Sequence, residues 1–207
     1  MPLMPPERLR RIHDVTDNFF FWQGLRWIPL GAVMLGYALI RSVDLPIAPT
    51  AREWVALPLL AVALWLSATV IGRYYARHFG RVRGDASRHT VRTSVKWFVA
   101  YPAIVVAIVV DITLRPPIAV SGLAFAGAIE AFRQSTGGGR RHYTAFAIGL
   151  LAFSILPLFG VVPAGKQGLT PLIGIIGLIY IVGGFLDHRE LVRTLAPVQE
   201  EQRVSAV

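Results

Sequence analysis

The sequence predicts an all-α integral membrane protein, a polytopic helical bundle that crosses the bilayer six times with both termini in the cytoplasm. Three observations predict this fold. Apolar residues make up 54% of the 207 residues and charged residues only 16%, against roughly 45–50% and 25% in soluble domains. Long apolar stretches recur along the chain, and the basic residues are concentrated in alternate segments between them.

The same composition excludes several classes of protein. The chain has no cysteine, which excludes a disulfide scaffold and a cysteine-ligated metal site. A mean hydropathy of +0.54 excludes a disordered chain. The net charge of +9 follows from membrane topology and from attraction to an anionic inner leaflet, so it does not indicate nucleic-acid binding. We expect no cofactor and no bound metal.

Six stretches are suited to form spanning helices, because a helix needs about 20 mostly apolar residues to cross a hydrocarbon core about 30 Å thick. Three apolar runs carry no charge, and the other three carry one each, Arg26, Asp111 and Glu130. A tight hairpin at Arg115, Pro116 and Pro117 joins the third and fourth spans. The predicted spans are residues 19–40, 54–72, 97–114, 116–132, 143–163 and 168–187.

The spans and their loops make up a transmembrane domain of residues 19–187, flanked by cytoplasmic termini and containing one long cytoplasmic loop. Residues 1–18 are predicted to form an interfacial segment, residues 73–96 a basic loop and residues 188–207 a tail. In the tail, apolar Leu191 and Leu195 alternate with basic residues, which is typical of a helix that lies flat on the lipid headgroups.

The distribution of basic residues orients the bundle. Sixteen of the 21 Lys and Arg residues fall in segments on the same side as the N-terminus, and four fall on the other side. Cytoplasmic loops carry such an excess of positive charge. Arg outnumbers Lys by 19 to 2, which indicates a GC-rich bacterium. We therefore expect a multi-pass protein of the bacterial inner (plasma) membrane.

The loop 73–96 carries two basic stripes with a spacing of four residues, which places side chains on one face of a helix. The stripes are candidate contacts for phosphate groups, in lipid or in an acidic partner. The excess of positive charge on the cytoplasmic side, with general contact to anionic lipid, is the simpler interpretation of the stripes. The first stripe is Arg73, Arg77 and Arg81, and the second, beyond Gly84, is Arg88, Arg92 and Lys96.

Charged residues at membrane depth are the strongest functional candidates, because each costs about 2.5–3.5 kcal/mol at the bilayer centre. Asp111, near the outer end of its span, lies four residues before Arg115, and Glu130 lies three residues before Arg133. Both spacings allow local ion pairs. Counting depth along the spans also predicts an inner-leaflet polar cluster, with a structural or a functional role, of Gln23, Arg26, Glu130, Asp187 and His188.

Three function classes fit this pattern. The first is an accessory or assembly subunit of a larger membrane complex, whose basic cytoplasmic face contacts anionic lipid or a soluble partner. The second is a small transporter or channel that uses Asp111 and Glu130. The third is a membrane enzyme that acts on lipid phosphates at the inner face. The sequence carries no catalytic motif, so we expect the first class, with membrane lipids, other membrane subunits or further copies of the chain as partners.

The topology has a direct test. A compartment reporter fused after Val207 or inserted within residues 84–90 should read cytoplasmic, and one within residues 46–50 should read external, because an even number of spans leaves both termini on one side. A periplasmic signal from the C-terminal fusion would contradict the six-span topology.

Overall fold

The computed structural model describes residues 19, 23–43, 49–79, 86–135 and 141–205, and the all-helical class is confirmed over these ranges. The α-helices are α1 (Ile28–Ser42), α2 (Pro49–Leu66), α3 (Gly72–His78), α4 (Ala86–Leu114), α5 (Val120–Ser135), α6 (Arg141–Ile155) and α7 (Lys166–Ser205). The shorter elements are a 3-10 turn Gly24–Arg26, a π-helical turn Ser67–Ile71 between α2 and α3, and a 3-10 turn Leu156–Phe159 after α6. The predicted interfacial segment 1–18 and Gly84, between the two basic stripes, lie outside the described residues.

Among the described residues, three helices are long and apolar enough to cross a membrane. They are Trp54–His78, Arg141–Phe159 and Lys166–Leu195, and they contain most of the second, fifth and sixth predicted spans. Phe98–Leu114 in α4 is a shorter apolar helix. The three long helices therefore have the length and composition of membrane-spanning helices.

α1 and α7 pack against each other with their backbones in contact. A Cβ atom at Gly31 would lie 2.6 Å from the carbonyl oxygen of Gly177, and a Cβ atom at Gly177 would lie 2.7 Å from the carbonyl oxygen of Gly31. A side chain at either position would therefore force the helices apart. Further along the same pair, Gly174 packs against Ala38. Small residues permit this approach in a bilayer, where association depends on close packing rather than on release of water.

The second half of the bundle is built around α5, which packs against both α4 and α6. A core of buried side chains joins this half to α7, because two of its members, Leu172 and Ile176, belong to α7. The buried members are Ala126, Ala147, Leu150, Phe153, Leu172 and Ile176.

The hairpin between α4 and α5 is tight, as the two prolines predict. α4 ends at Leu114, Arg115 takes a left-handed φ of +48°, and α5 begins at Val120. The fourth span was expected to begin at Pro116, so the helix starts four residues later than the apolar run. Pro116 and Pro117 themselves are used in the turn, which suits residues that lack an N–H donor.

The tail lies differently from the flat interfacial helix expected for residues 188–207. α7 runs without interruption from Lys166 to Ser205, so the last span and the described part of the tail are one helix. Leu191 is fully buried and packs with Phe19 and Tyr75. It contacts protein because it lies one turn after Asp187, on the face of α7 that meets α3.

Candidate functional site

Polar side chains from four elements meet at one end of the bundle, where the 3-10 turn before α1 approaches α3, α6 and α7. This polar cluster consists of Gln23, Arg26, Tyr75, His142, Tyr143, Asp187 and His188. Four of the seven, Gln23, Arg26, Asp187 and His188, belong to the five-residue cluster predicted from the sequence.

Asp187 is the centre of one half of the cluster. Its side chain has no solvent-exposed surface. The hydroxyl of Tyr143 donates a hydrogen bond of 2.7 Å to Oδ2, and Nε2 of His142 lies 3.2 Å from Oδ1. A buried carboxylate is costly unless it is hydrogen-bonded or paired with a cation. The Tyr143 hydroxyl supplies the hydrogen bond at Oδ2, and His142 beside Oδ1 forms an ion pair with the carboxylate when its imidazole is protonated.

Tyr75 is the centre of the other half. Its ring is buried, with 1% of the residue surface exposed, and its hydroxyl accepts a hydrogen bond of 3.2 Å from the backbone N–H of Leu25. The same hydroxyl lies 3.0 Å from Nδ1 of His188. Tyr75 therefore ties the turn before α1 to α3 and to α7.

Arg26 lies across the junction between the π-helical turn and α3. A Cβ atom at Gly72 would lie 2.8 Å from Nη2 of Arg26, so the guanidinium passes directly over Gly72. The carbonyl of Arg26 accepts a hydrogen bond of 2.7 Å from Oγ of Ser67. Gln23 is also buried, and its Oε1 has no hydrogen-bond partner among the described residues.

The two halves of the cluster are contiguous. Asp187 and His188 are consecutive residues of α7, and a Cβ atom at Gly24 would lie 2.8 Å from Cβ of Asp187. The Tyr75 hydroxyl lies within electrostatic range of both Arg26 and Asp187. The cluster is therefore one connected group of polar side chains rather than two separate sites.

Glu130 lies apart from this cluster, although the sequence grouped it there. Its carboxylate accepts hydrogen bonds of 2.8 and 2.6 Å from Nε and Nη2 of Arg133, and one of 3.0 Å from Gln134. Glu130 and Arg133 thus form the local pair that their spacing allows, with about a third of the Glu130 side chain exposed. These hydrogen bonds raise the pKa of the Arg133 guanidinium above its usual value.

Asp111 occupies a structural position at the hairpin. Its Oδ1 accepts a 2.9 Å hydrogen bond from the N–H of Val120, and its Oδ2 accepts one of 2.9 Å from the N–H of Ser121 and another from the Ser121 hydroxyl. The carboxylate therefore caps the first turn of α5, where helical N–H groups lack partners and the helix dipole favours negative charge. Among the described contacts, none pairs Asp111 with Arg115.

The predicted basic stripes are described only in part. Arg73 and Arg77 lie on α3 with exposed side chains. Arg81 lies outside the described residues, and the side chains of Arg88, Arg92 and Lys96 on α4 lie outside them as well. Whether the second stripe forms one face therefore stays a prediction.

The chemistry available to the polar cluster is hydrogen bonding and proton binding. His142 and Asp187 can each hold a proton, and His188 shares a hydrogen bond with a tyrosine. Across the part of the chain that the structure describes, no three His, Asp or Glu residues are grouped so as to hold a metal ion.

Sequence reasoning missed Tyr75, His142 and Tyr143. Tyr75 was placed in the basic loop 73–96. The sequence did carry a signal for His142 and Tyr143. Tyr143 begins the fifth predicted span, His142 immediately precedes it, and Asp187 ends the sixth span, so two antiparallel neighbouring spans place these residues at the same depth.

Comparisons with protein-family models, with curated proteins and with solved structures found no match to this chain. The interpretation of the site therefore depends on its geometry.

The contact between Tyr143 and Asp187 can be tested by a double-mutant cycle in thermal stability, measured in detergent. Tyr143→Phe and Asp187→Leu should each destabilise the protein, and the double variant should lose less than the two losses together. We expect a coupling of about 0.6 kcal/mol, with ~1.7 kcal/mol as an upper bound for membrane proteins.

The matched control is the cycle of Arg26→Leu and Glu130→Leu, which should be additive within about 0.3–0.5 kcal/mol, because Glu130 contacts Arg133 instead. Additivity in the Tyr143–Asp187 cycle, or equal coupling in the control cycle, would contradict the described arrangement.

Proposed function

We propose that this protein is a six-span membrane protein with both termini in the cytoplasm, and that it serves as an accessory or assembly subunit of a larger membrane complex. The three long apolar helices and the asymmetry of basic residues support this topology. The first, third and fourth spans correspond to α1, to Phe98–Leu114 and to α5. α1 and α5 are short, at about 22–24 Å from a rise of 1.5 Å per residue.

Short spans are compatible with a bilayer when their ends are completed by other structure. The 3-10 turn Gly24–Arg26 extends the first span at one end. At the other short span, the hairpin before α5 has non-helical backbone, in which the N–H of Ala119 bonds to the carbonyl of Ser154. The N–H groups of the first turn of α5 bond to Asp111. Such backbone is tolerated at membrane depth when protein groups satisfy it.

The observation that carries the accessory role is the exposure of the second span. Only 6% of the apolar window in Trp54–His78 is buried, against 33% in Lys166–Leu195. Large apolar side chains on this helix, among them Val62 and Trp65, are more than half exposed. Within the described bundle α2 packs mainly against α1. This surface is therefore available to a helix of another subunit.

The acids assigned to transport have structural roles that support the same proposal. Asp111 caps α5, and Glu130 is bound by Arg133 on its own helix. A carboxylate that is needed to hold a helix in place is poorly suited to bind and release a substrate ion.

A second candidate function, a small proton-linked transporter, now draws its support from a different group. Asp187 is fully buried beside His142 and Tyr143, and ionisable groups at membrane depth often belong to proton pathways. The lipid-phosphate enzyme gains no comparable support, because Arg73 and Arg77 are exposed without a described catalytic partner.

The accessory role can be tested by site-specific photocrosslinking in native membranes. A photoreactive phenylalanine analogue at Val62 or Trp65 should give a discrete adduct with one other membrane protein, because both side chains face away from the chain's own core. The same analogue at Leu172, which is buried in the core, is the control and should give none.

Two results would contradict the accessory role. One is the absence of any protein adduct from both exposed positions. The other is an adduct of twice the chain's mass alone, which would indicate a homo-oligomer. Asp187→Asn distinguishes the accessory role from the proton-linked transporter. A transporter should lose proton-coupled uptake in this variant, whereas an accessory subunit should still form its photocrosslinked adduct.

A further inference from the structure

A wide apolar groove opens on the surface between α1 and α2, with α7 as its floor. Its volume is about 550 Å³, within the range of about 300–1,000 Å³ that small-molecule sites occupy. The lining is almost entirely apolar. It includes Val33, Met34 and Tyr37 of α1, Ala56 and Leu57 of α2, and Ile173 of α7.

The lining of the groove suits hydrocarbon tails. Its α2 wall runs from Trp54 to Leu60, which is about 9 Å at 1.5 Å per residue. An open groove of this size accommodates flexible hydrocarbon tails, which are as apolar as the side chains that line it.

The mouth of the groove has the chemistry of a headgroup site. Tyr37 and Trp54 line it, and such aromatic side chains favour the level of the lipid headgroups. Arg41 lies one helical turn beyond Tyr37, at the end of α1, so it stands on the same face above the groove. No acid among the described residues forms an ion pair with Arg41. A cation above an apolar groove complements a lipid that has an anionic phosphate above apolar tails.

We propose that this groove is a binding site for one anionic phospholipid, whose tails lie between α1 and α2 and whose phosphate contacts Arg41. The topology proposed above places this lipid in the outer leaflet. The site itself depends on neither that topology nor the accessory role, because the groove is a feature of α1, α2 and α7 alone.

The proposal can be tested by native mass spectrometry of the full-length protein, released from nanodiscs that contain equal amounts of phosphatidylglycerol and phosphatidylcholine. The parent protein should retain one phospholipid, with a preference for phosphatidylglycerol. Ala56→Trp fills the groove and should reduce retention about tenfold, which corresponds to ~1.4 kcal/mol. Val62→Trp introduces the same side chain on the exposed face of α2 away from the groove, and should retain lipid like the parent.

Arg41→Gln separates the headgroup contact from the fit of the tails. This variant should still retain one phospholipid but lose the preference for phosphatidylglycerol, and it leaves the groove itself intact. A photoreactive phenylalanine analogue at Leu57, inside the groove, should crosslink to lipid in native membranes.

The proposal is overturned if Ala56→Trp retains as much lipid as the parent, or if Val62→Trp loses lipid equally. It is also overturned if the analogue at Leu57 crosslinks to a protein, which would make the groove a subunit interface. An unchanged preference for phosphatidylglycerol in Arg41→Gln would contradict the proposed contact between Arg41 and the lipid phosphate. None of these results bears on the adducts expected from Val62 and Trp65, so the two proposals can fail separately.

Discussion

The contact between α1 and α7 is the constraint on which the rest of the described bundle depends. Two helices whose backbones touch at Gly31 and Gly177 leave no freedom to slide or rotate, because any side chain at the crossing would collide with a carbonyl oxygen. In a bilayer this rigidity comes from packing and not from the hydrophobic effect, since lipid tails are as apolar as the side chains. The glycine contact also positions the polar cluster, because the second close approach, of Gly24 to Gly184, brings the turn that carries Arg26 beside Asp187.

A second theme is that polar groups inside the bundle are mostly matched with partners from other elements. Asp187 is held by α6, Tyr75 by the turn before α1, and Asp111 by the start of α5. The first two contacts link elements distant in sequence, since Tyr143 and Asp187 are 44 positions apart and Leu25 and Tyr75 are 50 apart, whereas Asp111 joins two consecutive helices. A polar group without a hydrogen-bond partner costs several kcal/mol in hydrocarbon. Any other packing of the helices would break these hydrogen bonds, so the contacts make the observed arrangement specific as well as stable.

Much of the fold could be predicted from the sequence, because the bilayer demands long apolar runs and those runs are visible without a structure. The spacing of Glu130 and Arg133 predicts their local pair. The start of α5 could not be predicted, because it depends on the turn at Pro116 and Pro117 and on a cap supplied by Asp111.

The candidate site was predicted only in part. Membrane depth grouped Arg26 with Asp187, but it could not show which helices are neighbours, and so it included Glu130 and missed His142.

The most direct test of this account is disulfide crosslinking between α1 and α7, which the absence of native cysteine makes unambiguous. A Cβ atom at Gly174 would lie 3.1 Å from Cβ of Ala38, close to the separation that a disulfide requires. The double variant Ala38→Cys with Gly174→Cys should therefore form an intramolecular disulfide in membranes under mild oxidation. Gly36→Cys with Gly174→Cys is the matched control and should stay reduced, because position 36 has no neighbour within 4 Å. Failure of the first pair to crosslink, or equal crosslinking of the control pair, would contradict the central role of the α1–α7 contact.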